Sequence, residues 1–453
     1  MTTEEQVAAK ALEMRPVWWL NPVVAFGVPT IIVGVIAYSL GPGDYLHFWR
    51  TAKYFDFSCF SLLAAIVFTF VCGCLLGAAR RSGRDHVPTT DWTLAVRWQS
   101  VRLLFNLSFF FSVLAYAIWL GVGIKNGLDL SMILGILRGA SDAHYLLRYD
   151  YLTTIPGVTT GTQLGITVIV LGVPLGVANG WRTVRWQCAT VIVLGLIRTF
   201  LNSERLAIIE LLVPFAVSLI WLQPAASRLP RLLTRSAPII AGVFLYCFFG
   251  AAEYFRSWSG FYARSESNFW GFVAVRLMGY YTTALNNGAL LWRVDGPFPL
   301  HLPPITLDFV WHFPIIKDLL PVLFPSLRAY AGDVADARYV DLLSANANPE
   351  LTNPSGVFSP LIDYGLTGGL LYWLICGLIC GYLYKEFRLR SVAGIFLYPA
   401  LYISLIEATR VLYWCEGRFF PAMFALVVGV LFMFRETRRT STRSALLPAR
   451  MPS

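Results

Sequence analysis

The stretch FDFSCFSLLAAIVFTFVCGCLLGA, residues 55–78, carries one charged side chain, Asp56, and is uncharged from Phe57 to Ala78. Those 22 residues, wound as an α-helix at 1.5 Å per residue, would extend about 33 Å. The hydrocarbon core of a bilayer is about 30 Å thick. The run therefore reads as a membrane crossing, and working outward from it the same pattern recurs. Further apolar runs fall at Trp18–Leu40, Leu103–Gly123, Gly161–Gly180, Gln187–Phe200, Glu204–Leu222, Pro238–Ala252, Gly356–Tyr384, Ser391–Thr409 and Arg418–Phe434. The composition agrees, since 57% of the 453 residues are hydrophobic and 14% charged, whereas a soluble domain is about half apolar and a quarter charged. The expected fold class is an all-α integral membrane protein with about ten transmembrane helices and one long, partly helical external loop.

Basic residues fix the expected orientation. Arg80, Arg81, Arg84 and Arg97 cluster in one connection, Arg182 and Arg185 in another, then Arg228, Arg231 and Arg235, then Lys385, Arg388 and Arg390, then the tail from Arg435. These alternate connections share one side, and the positive-inside rule makes it the cytoplasm, with both termini there. The net charge of +10 is accounted for in this way, and no nucleic-acid module is present. Only five of the 36 basic residues are lysines; genomic base composition explains that as well as any demand for bidentate phosphate binding does. The eight cysteines lie almost entirely inside apolar runs and read as small packing residues, not as a disulfide framework or a zinc site. Glu4, Glu5 and Glu13 precede the first run, which argues against a cleavable signal.

Four regions follow: 1–252 with the first seven crossings, an external cap at 253–355, the last three crossings at 356–434, and a basic cytoplasmic tail at 435–453. The cap holds nine of the 26 acidic residues together with Trp258, Trp270, Tyr280, Tyr281, Trp292 and Trp311. A disordered linker would be poor in aromatics. The expectation is a folded cap whose first helix, about 268–291, lies on the membrane surface.

Ionisable groups at membrane depth are costly unless paired or facing water, which makes them functional candidates. The fifth run is short and ends in Arg198-Thr199-Phe200-Leu201-Asn202-Ser203-Glu204-Arg205, a break that marks a site. Arg198 and Arg205 present planar forks suited to a diphosphate, and Glu204 beside them is placed to orient an arginine or accept a proton. The plainer reading is a charge pair capping two helix ends. Asp363 falls in the first turns of the helix that follows Asn353-Pro354-Ser355-Gly356, where either dipole capping or a base role fits. Gly365, Gly368 and Gly369 read as close-packing positions. Arg138, Arg148, Arg256, Arg264, Arg276, Arg410 and Arg418 face outward, each most simply a snorkelling residue, together a basic floor for an anionic head group. No Walker loop, dinucleotide fingerprint, zinc-protease motif or nucleophile elbow is present. No cofactor and no metal are expected.

The short helix ending near Arg198, the Ser203-Glu204-Arg205 start of the next, the long external loop, and the return through Asn353-Pro354 to Asp363-Tyr364-Gly365 together resemble the O-antigen or oligosaccharide repeat-unit polymerases, the Wzy-like proteins of bacterial surface polysaccharide pathways. Leu146–Gln163, with Arg148, Pro156-Gly157 and Gln163, is similar as well. The resemblance implies transfer of a growing glycan from its undecaprenyl diphosphate to a hydroxyl of a lipid-linked acceptor, on the outer face of the bacterial inner membrane. It implies Arg198, Arg205, Arg256, Arg276 and Arg148 as diphosphate ligands and Glu204 or Asp363 as base. It also implies lipid-linked oligosaccharides and membrane lipids as partners, with a flippase and a chain-length regulator of the same pathway. An O-antigen ligase shares this topology and donor; a histidine in the large loop favours it, and His301 or His312 would serve. A transporter of lipid-linked glycans ranks third, because one short helix has no counterpart in the other half.

Overall fold

The computed structural model describes residues 17–80, 92–137, 147–202, 204–222, 230–258, 262–264, 268–294, 303, 305–325 and 333–434. Among these residues the chain is all-helical, with no β-strand. Each apolar run forms a helix: α1 (Pro22–Ser39), α2 (Phe57–Ala79), α3 (Trp98–Lys125), α4 (Leu164–Asn179), α5 (Arg185–Asn202), α6 (Leu206–Leu222) and α7 (Arg231–Glu253). The segment 253–355 contributes α8 (Phe269–Val294) and α9 (Asp308–His312) among its helices, and α10 (Ser359–Arg388), α11 (Val392–Glu407) and α12 (Phe420–Val428) follow it. Six helical stretches, in α1, α2, α3, α4, α7 and α10, are long and apolar enough to cross a membrane, while α6, α11 and α12 lie in shorter apolar helices.

Local chemistry sets the boundaries. Asn21 caps α1 by accepting from the Val23 amide at 3.0 Å, with Pro22 in the first turn. Asp56 caps α2 by accepting from the Cys59 amide at 3.1 Å. The one charge in the opening stretch is thus a cap for the exposed amides of the first turn.

The tightest helix pair is α2 against α10. A Cβ on Gly73 would stand 2.2 Å from the Leu374 carbonyl oxygen, and one on Gly77 2.1 Å from that of Leu378. The partner glycines reciprocate, Gly377 against the Phe70 carbonyl at 2.2 Å and Gly381 against that of Cys74 at 2.1 Å. Glycine at i and i+4 on both helices lets the two backbones touch. The expected packing glycines serve differently: Gly365 takes φ 71°, ψ −177° and kinks α10, a conformation glycine adopts freely. Gly368 meets the Tyr364 side chain and Gly369 the Leu361 turn before the kink.

Helix α4 is the axis of the bundle, buried without interruption from Gly165 to Gly176 among α3, α5, α6, α11 and α12. Helix α7 is its opposite, with only 6% of its apolar window buried.

The helix expected to lie on the membrane surface is packed into the bundle. Helix α8 forms where the sequence puts it, but every residue from Thr282 to Leu291 is buried, and it packs on α1, α7 and α10 instead of lying over the bundle. Two buried asparagines explain this placement. Asn286 donates to the Ala52 carbonyl at 2.8 Å and accepts from the amides of Tyr54 (2.6 Å) and Phe55 (3.0 Å). Asn287 donates to the carbonyls of Leu351 at 2.8 Å and Asn353 at 3.0 Å. The two amides satisfy backbone groups of both flanking loops, which offsets the cost of burying them.

A charged cavity at the break between α5 and α6

The break between α5 and α6 opens onto a cavity of about 890 Å³. Its wall is built from three places in the chain: the turns before α4, the α5–α6 linker, and the loop from Glu407 to Arg418. Helix α8 adds Leu277, Tyr280 and Tyr281, and the cap adds Asp308, His312 and 349–353 except Leu351.

Arg198, in the last turn of α5, folds back on Glu204, with Nε at 2.9 Å and Nη2 at 2.8 Å from Oε2. Its Nη1 donates to the Thr162 hydroxyl at 2.5 Å. The other Glu204 oxygen accepts from Arg418, whose Nη2 stands 2.5 Å from Oε1 of the buried Glu210. Gln163 completes the group when its amide nitrogen faces Glu210 Oε2 at 2.5 Å and its oxygen faces Arg198 Nη1 at 3.0 Å. Burial pushes the Glu204 carboxyl up, but the guanidiniums of Arg418 and Arg198 outweigh that and hold it at about 2.

A second chain of charges runs along the other wall. Arg205 Nη2 lies 2.6 Å from Glu253 Oε1 and donates to the Tyr280 hydroxyl at 3.2 Å, while its guanidinium covers the Phe249 ring at 3.9 Å. Glu253, fully buried, meets Arg276 Nε at 2.9 Å through Oε2. Arg276 Nη1 then reaches Glu350 at 2.6 Å. Arg198, Glu204 and Arg205, neighbours in the sequence, all line the cavity; Glu210, Glu253 and Arg418 join their networks only through the fold.

The remaining expected residues fall elsewhere. Arg276 acts through Glu253 and Glu350 and does not itself line the cavity. Arg148 and Arg256 sit in the π-helical turns Leu147–Tyr151 and Tyr254–Trp258, and their side chains lie outside the described residues, as do Ser203 and His301. Asp363 does begin α10, but it is off the cavity wall. Its oxygens accept from the Thr306 amide at 2.6 Å, the Thr306 hydroxyl at 2.7 Å and the Ile305 amide at 3.4 Å. That carboxylate ties the cap to α10.

Among the described residues the cavity wall is not uniformly basic, and the side chains of Arg138 and Arg264, like those of Arg148 and Arg256, lie outside them. Arg198, Arg205, Arg410 and Arg418 share the wall with Glu204, Asp308, Glu350, Glu407 and Glu416. Asp308 holds His312 Nδ1 at 2.8 Å and accepts from the Gly417 amide at 2.8 Å. Arg410 engages Glu407 through Nε at 2.8 Å; among the described residues its two terminal nitrogens have no partner. Glu416 makes no side-chain bond among the described residues. Burial pushes its carboxyl up to about 7, with Asp308 and Glu210 adding to the shift and Arg418 and Arg410 opposing it. The sequence reading counted Arg410 among the outward-facing arginines and did not single out Glu416; the signal was the four charges in Glu407–Arg418. No group of three or more His, Cys, Asp or Glu gathers at metal-binding distance among the described residues.

Beside the cavity lies an apolar groove of about 400 Å³ lined by Val33, Ile36, Tyr246, Ala274, Met278 and Thr282. Leu245, Leu277 and Tyr281 belong to both walls. Comparison with known proteins finds no matching family model, no similar curated protein and no similar solved structure.

Proposed function

We propose that the protein is a polyprenyl-diphosphate-dependent glycosyltransferase that polymerises lipid-linked repeat units of a surface polysaccharide. In this reading all ten apolar helices cross the bacterial inner membrane, both termini are cytoplasmic, and the cavity faces outward. The observation that carries the reading is the junction of a polar, arginine-bearing cavity with an apolar groove between α1, α7 and α8. That shape fits an amphiphile with an anionic, hydroxyl-rich head and a hydrocarbon tail. The polyprenyl chain occupies the groove and the diphosphate meets Arg205 and Arg410. Carboxylates beside guanidiniums suit sugar hydroxyls, which both donate and accept. As the anomeric carbon–oxygen bond breaks, its electron pair passes to the diphosphate, where fixed cations stabilise the developing charge.

Deleting the gene in the source cell and complementing with the native chain or Arg205→Ala tests this, with gel and mass analysis of lipid-linked and surface glycans. The native chain restores long glycans, and Arg205→Ala leaves single repeats on the acceptor. Undiminished surface chains in the deletion strain would overturn the proposal. A second reading, transfer of the finished glycan to a terminal acceptor in the manner of a ligase, is favoured by His312, which lines the cavity with Nδ1 held by Asp308. It predicts full-length chains stranded on the carrier in the deletion strain.

A further inference from the structure

Resting on the glycosyl-transfer reading, we infer that Glu416 is the group that takes the proton from the acceptor hydroxyl. Five carboxylates line the cavity, and four are already committed. Glu204 is clamped by Arg198 and Arg418. Glu350 is bound by Arg276. Glu407 takes Arg410 at 2.8 Å and the Tyr281 hydroxyl at 3.5 Å. Asp308 holds His312 and the Gly417 amide. A carboxylate whose lone pairs are already taken by cations is a poor proton acceptor. Glu416 alone of the five makes no such bond among the described residues, so its oxygens are available to a hydroxyl entering the cavity.

Its position is fixed on both sides. The Glu416 amide donates to the Tyr413 carbonyl at 3.2 Å, and its own carbonyl accepts from Phe419 at 3.0 Å. The next residue, Gly417, is tied to Asp308. The charged groups around the carboxylate are Arg410 and Arg418 of the same loop, Asp308 at the start of α9, and Glu210 of α6; His312 shares the wall. Burial and the two carboxylates bring its proton affinity to about 7, where a base is half ionised near neutral pH and most effective. Glu204, held at about 2, lacks the basicity for that task.

The step balances. The acceptor O–H gives its proton to Glu416 as its oxygen bonds to the anomeric carbon of the donor. The bond from that carbon to the diphosphate breaks, and its electron pair leaves with the diphosphate. Glu416, now a carboxylic acid, returns the proton to water.

The test uses membranes of the deletion strain carrying the native chain, Glu416→Gln, Glu416→Asp or Arg205→Ala, with the lipid-linked glycan that the strain accumulates as substrate. Initial rates of chain extension are read from about pH 5.5 to 8.5. The native rate is expected to rise about tenfold per pH unit on the acid side and to level off above the Glu416 proton affinity of about 7. Glu416→Gln is expected to lose about 10²- to 10⁴-fold, and Glu416→Asp to retain part of the rate with its acid limb displaced. Should Glu416→Gln fail to reach the membrane, the acid limb of Glu416→Asp decides. An active native chain alongside a Glu416→Gln rate within about threefold of it, or an unmoved acid limb in Glu416→Asp, overturns the assignment and leaves glycosyl transfer standing. A native chain that converts no glycan overturns both.

Discussion

Glu253 is the most informative residue to neutralise, because it is fully buried and sits between two guanidiniums. At about 4 Å between charge centres and an effective dielectric of about 20, each contact is worth about 4 kcal/mol before desolvation is subtracted. Glu253→Gln removes both contacts and leaves Arg205 and Arg276 facing each other, each side chain only 11% exposed. Breaking a buried pair in this way costs about 3–5 kcal/mol. The lower end is expected here, for two reasons. Arg205 keeps the Tyr280 hydroxyl and the Phe249 ring, and Arg276 keeps Glu350. The 2.9 Å contact from Arg276 Nε also lacks hydrogen-bond alignment. Unfolding by SDS in mixed micelles should therefore show a loss of about 3 kcal/mol. A double-mutant cycle with Arg276→Met should return a coupling of about 1–2 kcal/mol. A loss below about 1 kcal/mol, the size of an exposed pair, would refute the view that this chain of charges clasps the C-terminal end of α7 to the bundle.

The α2–α10 contact predicts that Gly77→Ala, whose Cβ would stand 2.1 Å from the Leu378 carbonyl oxygen, costs about 1–3 kcal/mol in the same assay. Gly242→Ala on α7, with nothing within 4 Å, should be neutral or stabilising by up to about 1 kcal/mol. Glu416 makes stability depend on pH: its folded affinity of about 7 exceeds the ordinary 4.5, so between those values the folded chain holds the extra proton and stability falls as pH rises. That slope should vanish in Glu416→Gln, as thermal melts at several pH values would show. Arg410→Lys keeps the charge but loses the planar fork, and should weaken the concentration dependence of glycan transfer by about tenfold; an unchanged dependence would remove Arg410 from the diphosphate site.

Run length alone located the helices, because a segment with no charge for twenty or so residues has few alternatives to crossing or being buried. It could not order them by depth. The runs that become α4 and α7 look alike in sequence, yet one is the axis and the other touches little, since that difference lies in the partners. Asn286 and Asn287 make the same point: the sequence puts them in a helix, and only the loops they bind explain why that face is buried. The charges at the α5–α6 break were legible because charge interrupting an apolar run is local information. Which carboxylate stays open was not. Asp363 opens one apolar run and Glu416 just precedes another, and what separates them is that Thr306 bonds to one side chain and none of the described residues bonds to the other.

The mixed charge of the cavity bears on how a diphosphate would be handled there. Arg198, Arg205 and Arg418 already hold carboxylates, so a phosphate that displaces one gains little over what is lost. Ground-state affinity then comes mainly from the tail, at about 0.8 kcal/mol for each methylene buried in the groove, and from the open fork of Arg410. In the transition state the balance changes, because negative charge grows on the leaving oxygen while the carboxylates keep a constant charge. On the proposed reading, guanidiniums held in place by those carboxylates would then attract the leaving group more strongly than in the ground state, and an interaction stronger in the transition state than before it is the kind that raises the rate. On the same reading, the paired carboxylates would keep the arginines in place while the cavity is empty and let substrate and products leave, and the arginines would act on the bond that breaks.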